Sequence, residues 1–225
     1  MIRLQEVSRS FGEGAARAVA LDGINLQVEA GEFVAVAGPS GSGKTSLLNI
    51  IGVLDAPDTG TVELDGQDVG ALGEPEQADL RLAKIGFVFQ RFNLIPVLSA
   101  AENVELALLF RRDVSAGERR ERVRTSLERV GLGDKGHRRP AELSGGEQQR
   151  VAVARALAAK PVVVLADEPT ANLDHETGLP VIELMRDLNR EHGTTFLYAT
   201  HDPELIRLAD RVIWLRDGRQ VEGDA

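Results

Sequence analysis

The chain has 225 residues, of which 43% are hydrophobic, and its formal net charge is −9 at pH 7. This length fits one packed domain, or one core with a subdomain inserted in it. No apolar run approaches the ~20 residues that a transmembrane helix needs, and the N-terminus lacks the apolar segment of a signal peptide, so we expect a soluble chain that is not exported. The absence of cysteine excludes a disulfide scaffold and a thiolate metal site. The acidic balance argues against nucleic acid as a partner.

Basic residues concentrate in one stretch of this acidic chain. Residues 111–139 hold ten Lys or Arg against five Asp or Glu. The favoured interpretation is a solvated helical face. The alternative is a face that lies near anionic lipid headgroups or an acidic partner.

The first ninety residues alternate strand and turn signals. Apolar alternation or continuous apolar runs predict strands over residues 1–6, 24–28, 33–37, 61–64 and 84–89. The dipeptide Asp65-Gly66 after the fourth run is a hairpin signal. The last predicted strand leads directly into Gln90.

Residues from about 99 to 159 predict helices rather than strands. Ser99 with Glu102 and Ser115 with Glu118 have the spacing of capping boxes at helix starts. The second of these helices has apolar residues on one face and ends near Gly131. Because this helical block interrupts an alternating pattern, it is interpreted as an inserted subdomain.

The remaining residues return to alternating strands and helices. Residues 162–166 and 195–200 predict strands buried on both faces, and 211–215 with the turn at 217–218 predicts a closing hairpin. Between them lies a helix that ends at Gly193. Gly178 and Pro180 fall within that helix, and proline inside a helix costs ~3 kcal/mol. We therefore expect this helix to start later or to kink.

A phosphate-binding loop is predicted where a buried strand meets an apolar helix. Residues 38–45 fit the pattern G-x-x-x-x-G-K-[ST], and their residues are Gly38, Pro39, Ser40, Gly41, Ser42, Gly43, Lys44 and Thr45. Glycines let the backbone N–H groups approach an anion, and the helix adds its positive N-terminal end. Lys44 would neutralise the outer phosphates, and the Thr45 hydroxyl would bind Mg²⁺. Alone, this motif leaves kinases, GTPases and many ATPases open.

A pair of acids follows the predicted strand over residues 162–166. Ligands bind beyond the carboxyl ends of strands in doubly wound sheets, which favours Asp167 as a Mg²⁺ ligand. Glu168 is one residue further on and would point elsewhere, so it could polarise an attacking water. Considered without the phosphate-binding loop, these two acids could equally form an inert turn at the end of a strand.

A second anion-binding helix end is predicted at residues 143–150. Ser144 and Glu147 form a capping box, and Gly145 and Gly146 leave the helix entrance open for close approach. One bound nucleotide has little use for two such ends. Two chains arranged head-to-tail would use both, with each nucleotide between one chain's loop and the other's capped helix. An ordinary capped helix is the alternative.

With these motifs together, the chain resembles an ABC-transporter nucleotide-binding domain along nearly its whole length, because Leu-Ser-Gly-Gly-Glu-Gln is that family's signature. The resemblance implies ATP and Mg²⁺ as cofactors, ATP hydrolysis, and a dimer of two copies around two ATP. It also implies further site residues. Ser46 belongs to the nucleotide loop, Gln90 senses Mg²⁺ and the γ-phosphate, and His201 is the switch histidine. Asp174 lies in the loop that crosses the dimer interface, and Phe11 stacks on adenine at a position where Tyr is more usual. Plain core packing is the alternative for Phe11.

The fold class that the resemblance implies is α/β. It is a P-loop NTPase core with a mostly parallel sheet, an N-terminal antiparallel β-subdomain and an inserted α-helical subdomain. The single domain spans 1–225, with the RecA-like core and β-subdomain in 1–90 and 156–225 and the helical subdomain in about 91–155.

Several segments resemble the lipoprotein-releasing and macrolide-export group of this family, including residues 47–55, 89–96, 170–174 and the loop 11–21. That resemblance implies a separate transmembrane permease, a position on the inner face of the membrane through that permease, and export or extraction of a lipoprotein, lipid or hydrophobic compound. Two alternatives stay open: an ATPase that drives a permease-like partner in envelope regulation or division without transport, and a soluble ABC ATPase of another kind.

An apolar stretch follows Gln90 directly. Its members are Phe92, Leu94, Ile95, Val97 and Leu98. We expect them to line a groove for a permease helix; the alternative is that they belong to the core of the helical subdomain.

Overall fold

The computed structural model describes residues 1–12, 14 and 17–223. Within these residues, none of the helices combines the length and apolar character needed to span a bilayer. The predicted loop 11–21 includes residues 13, 15 and 16, which lie outside the described part. Its two ends are strand, because β1 continues to Phe11 and β2 begins at Ala18.

A six-stranded sheet forms the centre of the fold, in the order β10-β9-β3-β8-β7-β6. Its strands are β3 (Phe33–Ala37), β6 (Ile85–Val88), β7 (Val163–Asp167), β8 (Thr195–Thr200), β9 (Arg211–Arg216) and β10 (Arg219–Val221). All neighbours from β9 to β6 are parallel, and β10 alone pairs antiparallel with β9. The mostly parallel sheet of the predicted fold class is therefore confirmed.

Both faces of this sheet are buried, which explains the continuous apolar runs in the sequence. In β3, Phe33 and Ala35 join one core while Val34 and Val36 join the other. The strands β7 and β8 alternate between the same two cores. The side-chain period of two therefore places apolar residues against helices on one side and against a second sheet and α1 on the other.

An antiparallel sheet of four strands lies on that second side, in the order β2-β1-β4-β5. Its strands are β1 (Ile2–Phe11), β2 (Ala18–Val28), β4 (Thr59–Leu64) and β5 (Gln67–Asp68). The Asp65-Gly66 turn joins β4 to β5, as predicted. Alternate residues of β1, such as Ile2 and Leu4, are buried in the core shared with the central sheet.

The helices begin and end at identifiable signals. They are α1 (Lys44–Ile51), α2 (Glu74–Lys84), α3 (Ala100–Glu105), α4 (Ala116–Arg129), α5 (Gly145–Ala158), α6 (His175–His192) and α7 (Pro203–Ile206), with short 3-10 turns at Val69–Ala71, Leu106–Leu108, Gly133–Lys135 and Pro140–Glu142. The hydroxyls of Ser99, Ser115 and Ser144 each accept the backbone N–H three residues on, so all three are confirmed as N-caps. The reciprocal contact of a capping box is present at Ser99 and Ser144 but not at Ser115, where the Glu118 carboxylate accepts from Arg122 instead.

The sequence analysis missed α2. Its segment is mostly polar and buries only Leu80 fully, so it lacks a strong apolar period. Its helical signals are local: Pro75 in the first turn, and Glu76, whose carboxylate accepts the Gly73 N–H. An apolar period in the sequence therefore fails to predict a short helix that buries only one side chain at the edge of a core.

The expectation that α6 would start late is wrong. The helix begins at His175, directly after Asp174, whose carboxylate accepts the N–H of Thr177. Pro180 lies in the second turn, where its missing N–H removes one hydrogen bond to the residue four before it. Gly178 has a packing role, because a Cβ there would lie 3.2 Å from the Cβ of Thr170.

Five of the ten basic residues in 111–139 are paired with acids among the residues described. Ion pairs join Arg111 to Asp113, Arg119 to Glu105, Arg122 to Glu118, Arg124 to Glu121 and Glu128, and Lys135 to Glu147. Surface pairs of this kind contribute little stability each, but they cancel local charge. This pairing favours the solvated helical face over a lipid-binding one.

Candidate active site

Three adjacent parallel strands end at one edge of the central sheet and bring the predicted motifs together. The phosphate-binding loop follows β3, the acids Asp167 and Glu168 end β7, and His201 follows β8. Since β8 pairs with both β3 and β7, these groups become neighbours although they are far apart in sequence. Gln90 follows β6, the next strand after β7.

The loop after β3 can close around an anion only because of its glycines. Gly41 and Gly43 have φ of 80° and 105°, a region that side chains avoid. A Cβ on Gly43 would lie 2.4 Å from the carbonyl oxygen of Ala20, and one on Gly38 would lie 2.1 Å from that of Leu215. The backbone is therefore packed from behind, so the loop has no room for a side chain at either position.

Lys44 is held inside this loop with 5% of its surface exposed. Its Nζ donates to the carbonyl oxygens of Gly38 at 2.8 Å and Pro39 at 3.0 Å, and lies 3.8 Å from Oε1 of Glu168. The buried hydroxyl of Ser42 has no partner in the described part of the chain. A cation and an unpaired hydroxyl in a glycine cradle suit a phosphate.

The predicted metal ligands Thr45 and Asp167 lie together. The Thr45 hydroxyl donates to Oδ1 of Asp167 at 3.2 Å. Burial raises the pKa of Asp167, against the hydrogen bond from Thr45, which lowers it. Hard oxygen ligands of this kind suit Mg²⁺, whose shell in nucleotide sites is completed by phosphate and water. Thr45 and Asp167 supply two protein oxygens beside the phosphate cradle, which fits a site shared with phosphate. Among the described residues, no group of three or more His, Cys, Asp or Glu could hold a metal by itself.

Gln90 is exposed and is not hydrogen-bonded to Thr45 or Asp167 in the part of the chain that the structure describes. Its side chain makes no hydrogen bond within the described residues, while its backbone carbonyl accepts from Nδ2 of Asn172 at 2.9 Å. Its assignment as a metal ligand therefore stays a prediction.

Glu168 lies between two nitrogen groups. Its Oε1 is 3.4 Å from Nδ1 of His201 and 3.8 Å from Nζ of Lys44. Its backbone has φ of 42°, which is uncommon outside glycine, and its N–H donates to the carbonyl of Ala199 at 3.2 Å. The side chain consequently leaves the strand in a direction different from that of Asp167, as the predicted division of roles requires.

Phe11 lies on the surface rather than in the core, with 45% of its area exposed. The Arg9 guanidinium is 5.0 Å from the ring centroid, and that guanidinium is bonded to the carboxylates of Asp55 and Asp58. The alternative of plain core packing is therefore wrong for Phe11. Its exposed ring leaves stacking on a base possible.

The second predicted anion site is at the N-terminus of α5. The Ser144 hydroxyl caps the helix, and Glu147 accepts the Ser144 N–H at 2.8 Å. Gly146 is packed so closely that a Cβ would lie 2.3 Å from Cγ2 of Thr177. Neither Ser144 nor Gly146 is joined to the phosphate-binding loop by a hydrogen bond or ion pair in the residues described. The loop lines one cleft, and Ser144 and Gly146 line another.

Glu147 makes this helix end sensitive to acid. The Lys135 ammonium at 2.6 Å, with the Ser144 N–H, lowers the pKa of Glu147 to about 2 from its usual 4.5. Because the folded-state pKa is depressed, this stabilisation is present above pH 4.5 and is lost as pH falls toward 2.

We therefore expect Glu147→Gln to lower the free energy of unfolding by about 1 kcal/mol at pH 7, since glutamine keeps the cap but loses the ion pair. The difference from wild type should vanish as pH falls from 4.5 toward 2. Urea unfolding at several pH values measures this, and Glu142→Gln, at the cap of the preceding 3-10 turn, is the control for capping without the lysine. A difference that does not change with pH would contradict the ion-pair explanation.

Sequence reasoning missed three residues that hold the site together. Gln149, Arg155 and Asn172 each donate to backbone carbonyls next to Gln90: those of Phe89, of Phe92 and Asn93, and of Gln90 itself. Burial lowers the pKa of Arg155. Gln149 and Arg155 lie on α5, where polar residues predict solvent exposure, and Asn172 lies in the turn before α6, so the sequence carries no signal for these contacts.

Comparison with known proteins agrees with this geometry. A family model described as "ABC transporter" matches residues 21–171. The chain belongs to the ABC transporter family. The resemblance inferred from the signature segment is thus confirmed.

Two relatives represent the group that the sequence resembles. The lipoprotein-releasing system ATP-binding protein LolD of Pseudomonas syringae pv. tomato is 46% identical over 222 residues, which cover 99% of this chain and 97% of LolD. The macrolide export ATP-binding/permease protein MacB of Marinobacter nauticus is also 46% identical over 222 residues. The match covers 99% of this chain but only 34% of that MacB.

A solved ABC cassette has the same fold. The dimeric, post-hydrolysis structure of MJ0796 of Methanocaldococcus jannaschii, bound to ADP and phosphate, has a TM-score of 0.88 and 44% identity, and the match covers 100% of both chains. The predicted fold class of this ABC ATPase is confirmed by that likeness.

Proposed function

We propose that two copies of this chain close around two ATP molecules, and that the hydrolysis of ATP in this dimer moves a separate transmembrane permease. As a member of the ABC transporter family, the chain is an ATP-hydrolysing transporter subunit. One observation carries the dimer proposal for this chain. The loop that leads into α1 and the N-terminus of α5 line different clefts, and no hydrogen bond or ion pair joins them among the described residues.

In this proposal, the residues of one copy hold the phosphates from one side. Lys44 and the loop amides neutralise them, and Thr45 and Asp167 would hold Mg²⁺. Bound there, Mg²⁺ would neutralise phosphate charge as it builds up during the reaction. The nucleotide displaces Lys44 from the carbonyls of Gly38 and Pro39, which places its charge at the outer phosphates.

The partner copy completes the site with the N-terminus of α5. Ser144 offers a hydroxyl, and Gly145 and Gly146 offer backbone N–H groups without side chains in the way. Asp174 caps α6 beside them, since its carboxylate accepts from the Thr177 N–H and hydroxyl. It would therefore lie where the two copies meet. Phe11 would stack on adenine with its exposed face.

Hydrolysis needs a water aligned on the γ-phosphate. Glu168 accepts a proton from that water, because its carboxylate is directed away from the metal ligands. His201, 3.4 Å from the same carboxylate, would hold the γ-phosphate on the other side. Gln90 would move in to contact it when nucleotide is bound. Charge stabilisation and positioning account for most of the rate gain in such reactions.

The transported class is proposed from the relatives. LolD, matched over nearly its full length, is named for lipoprotein release, which supports export or extraction of a lipoprotein, lipid or hydrophobic compound. A permease on a separate chain would place this subunit on the cytoplasmic face of the membrane. An ATPase that drives a permease-like partner in envelope regulation without transport is the alternative.

The apolar stretch after Gln90 divides into buried and exposed parts. Leu94 packs against the core that the helices share with the central sheet, which supports the core interpretation for this residue. Ile95 and Val97 are exposed, Val97 by 73% of its area. Exposed apolar side chains next to the γ-phosphate sensor suit a permease contact. The proposed contact therefore rests on Ile95 and Val97 rather than on Leu94.

We expect Val97→Asp to remove the permease from a complex purified through this subunit, because it places a charge in an apolar interface. ATP binding and the melting temperature should stay at wild-type values. Val19→Asp is the matched control, since Val19 is an exposed valine on the opposite antiparallel sheet. Retention of the membrane protein by Val97→Asp would contradict this contact.

The complex with the membrane protein that co-purifies also separates transport from regulation. The complex is placed in lipid vesicles that contain a lipidated protein as cargo. If the complex transports this cargo, ATP hydrolysis should rise with the amount of cargo, and the cargo should be released from the membrane. Hydrolysis that is independent of any membrane cargo would favour the regulatory alternative.

A further inference from the structure

Gln149 is a fully buried polar residue in the first part of α5, with 0% of its surface exposed. Its Nε2 donates to the carbonyl oxygen of Pro169 at 2.6 Å. The same nitrogen lies 3.5 Å from the carbonyl oxygen of Phe89, at the long limit of a hydrogen bond. One side chain therefore touches the backbone directly after Glu168 and the backbone directly before Gln90.

The backbone next to the carbonyl that Gln149 holds has an uncommon conformation. Glu168 has φ of 42°, and such a conformation persists only where the surroundings hold it. On one side, its N–H donates to the Ala199 carbonyl of β8. On the other side, the next carbonyl, that of Pro169, accepts from Gln149. The direction of the Glu168 side chain is thus fixed between β8 and α5.

Packing alone does not explain a glutamine at this position. Its Oε1 is buried and has no partner in the described part of the chain. An unpaired buried acceptor is unfavourable, so an apolar side chain of the same size would pack at a lower cost. We therefore expect the role of Gln149 to depend on the hydrogen bonds that its Nε2 donates.

The helix that carries Gln149 begins at the signature segment. Ser144 caps this helix five residues earlier, about 7 Å along its axis. A shift of the α5 N-terminus when it meets the partner's nucleotide consequently moves Gln149, and with it the peptide that aims Glu168. Asn172, which donates to the Gln90 carbonyl, ties the loop after Glu168 to the same region.

We propose that Gln149 is a positioning residue that couples the signature end of α5 to the aim of Glu168 and the placement of Gln90. This inference rests on the proposed roles of those two residues. It means that the site on one copy becomes active for hydrolysis when its own signature helix is seated on the nucleotide of the other copy.

The test compares two neighbouring glutamines of α5. Gln149→Met keeps the size of the side chain but removes the donor. Gln148→Met is the control, because the Gln148 side chain donates to the Leu143 carbonyl and makes no hydrogen bond to either loop within the described residues. Gln149→Asn, which is shorter by one methylene, is a second variant that stays polar. Steady-state hydrolysis is measured at least about 10 °C below the melting temperature of each variant, so that loss of rate does not reflect unfolding.

We expect Gln149→Met and Gln149→Asn to lower kcat about tenfold or more while the KM for ATP stays within about twofold, since a misplaced base slows chemistry without weakening binding. Gln148→Met should keep the wild-type kcat. A wild-type kcat in Gln149→Met, or equal losses of kcat in Gln148→Met and Gln149→Met, would overturn the inference. If Glu168→Gln itself hydrolyses ATP normally, the proposed base is wrong; if Glu168→Gln is slow and Gln149→Met is not, only the positioning role fails.

Discussion

Replacing Glu168 by glutamine is expected to slow ATP hydrolysis roughly a thousandfold, because the amide cannot accept the proton of the attacking water. The change keeps the size of the side chain and removes only a negative charge near Lys44 and His201. ATP binding should therefore stay intact or become tighter. Trapped in the ATP-bound state, the variant should accumulate as a dimer.

Two measurements check this result: the rate of phosphate release, and the molar mass by light scattering with and without ATP. Glu74→Gln is the matched control, since Glu74 is exposed in the first turn of α2. Both the turnover and the mass of this control should follow wild type. Normal turnover by Glu168→Gln would refute its role as the base. A slow variant that stays monomeric with ATP, even with its permease, would refute the two-copy site.

The parts of the fold that the sequence predicted well are those with burial on both faces. The bounds predicted for β3 and β8 agree with the structure, because a strand that is covered on both faces is buried along its whole length and forms a mostly apolar run in the sequence. The parts that were missed depend on the surroundings. The helix α2 buries a single side chain fully, and α6 tolerates Pro180 because Asp174 caps its start and only one hydrogen bond is lost.

The candidate site shows the same division. Lys44, Asp167 and Ser144 were predictable because phosphate binding demands glycine, lysine, hydroxyl and carboxylate at fixed spacings beside a strand or helix end. Gln149 and Arg155 were not, since their partners are backbone carbonyls that lie far away in sequence. No residue type at the partner position marks such a contact. Only the folded chain shows that the helix of the signature segment also donates a hydrogen bond to the backbone next to Glu168.

Ser144→Asp tests the second half of the site without disturbing the helix that carries it. Aspartate is as good a cap as serine and its charge favours a helix N-terminus, so α5 should stay folded. Facing a phosphate, however, the same carboxylate repels. We expect ATP-dependent dimerisation to be lost and hydrolysis to fall about a hundredfold, in the range measured when one charge-stabilising group is removed. Ser144→Asn, a neutral cap, should be less impaired.

Ser115→Asp is the control, because Ser115 caps α4 in the same way but lies outside both proposed half-sites. It should behave as wild type. A Ser144→Asp protein that dimerises with ATP would refute the phosphate contact at Ser144.

Mixing Ser144→Asp with Lys44→Ala extends this test to the pairing of the two copies. Each variant alone forms no intact site, since one carries a repelling carboxylate at its α5 end and the other lacks the lysine of the loop. A mixed dimer has one site in which the loop of the Ser144→Asp copy meets the α5 end of the Lys44→Ala copy. Equal amounts should recover up to about a quarter of the wild-type rate, because half of the dimers are mixed and each has one of two sites. A mixture no faster than its components would mean that each copy hydrolyses ATP with its own residues alone.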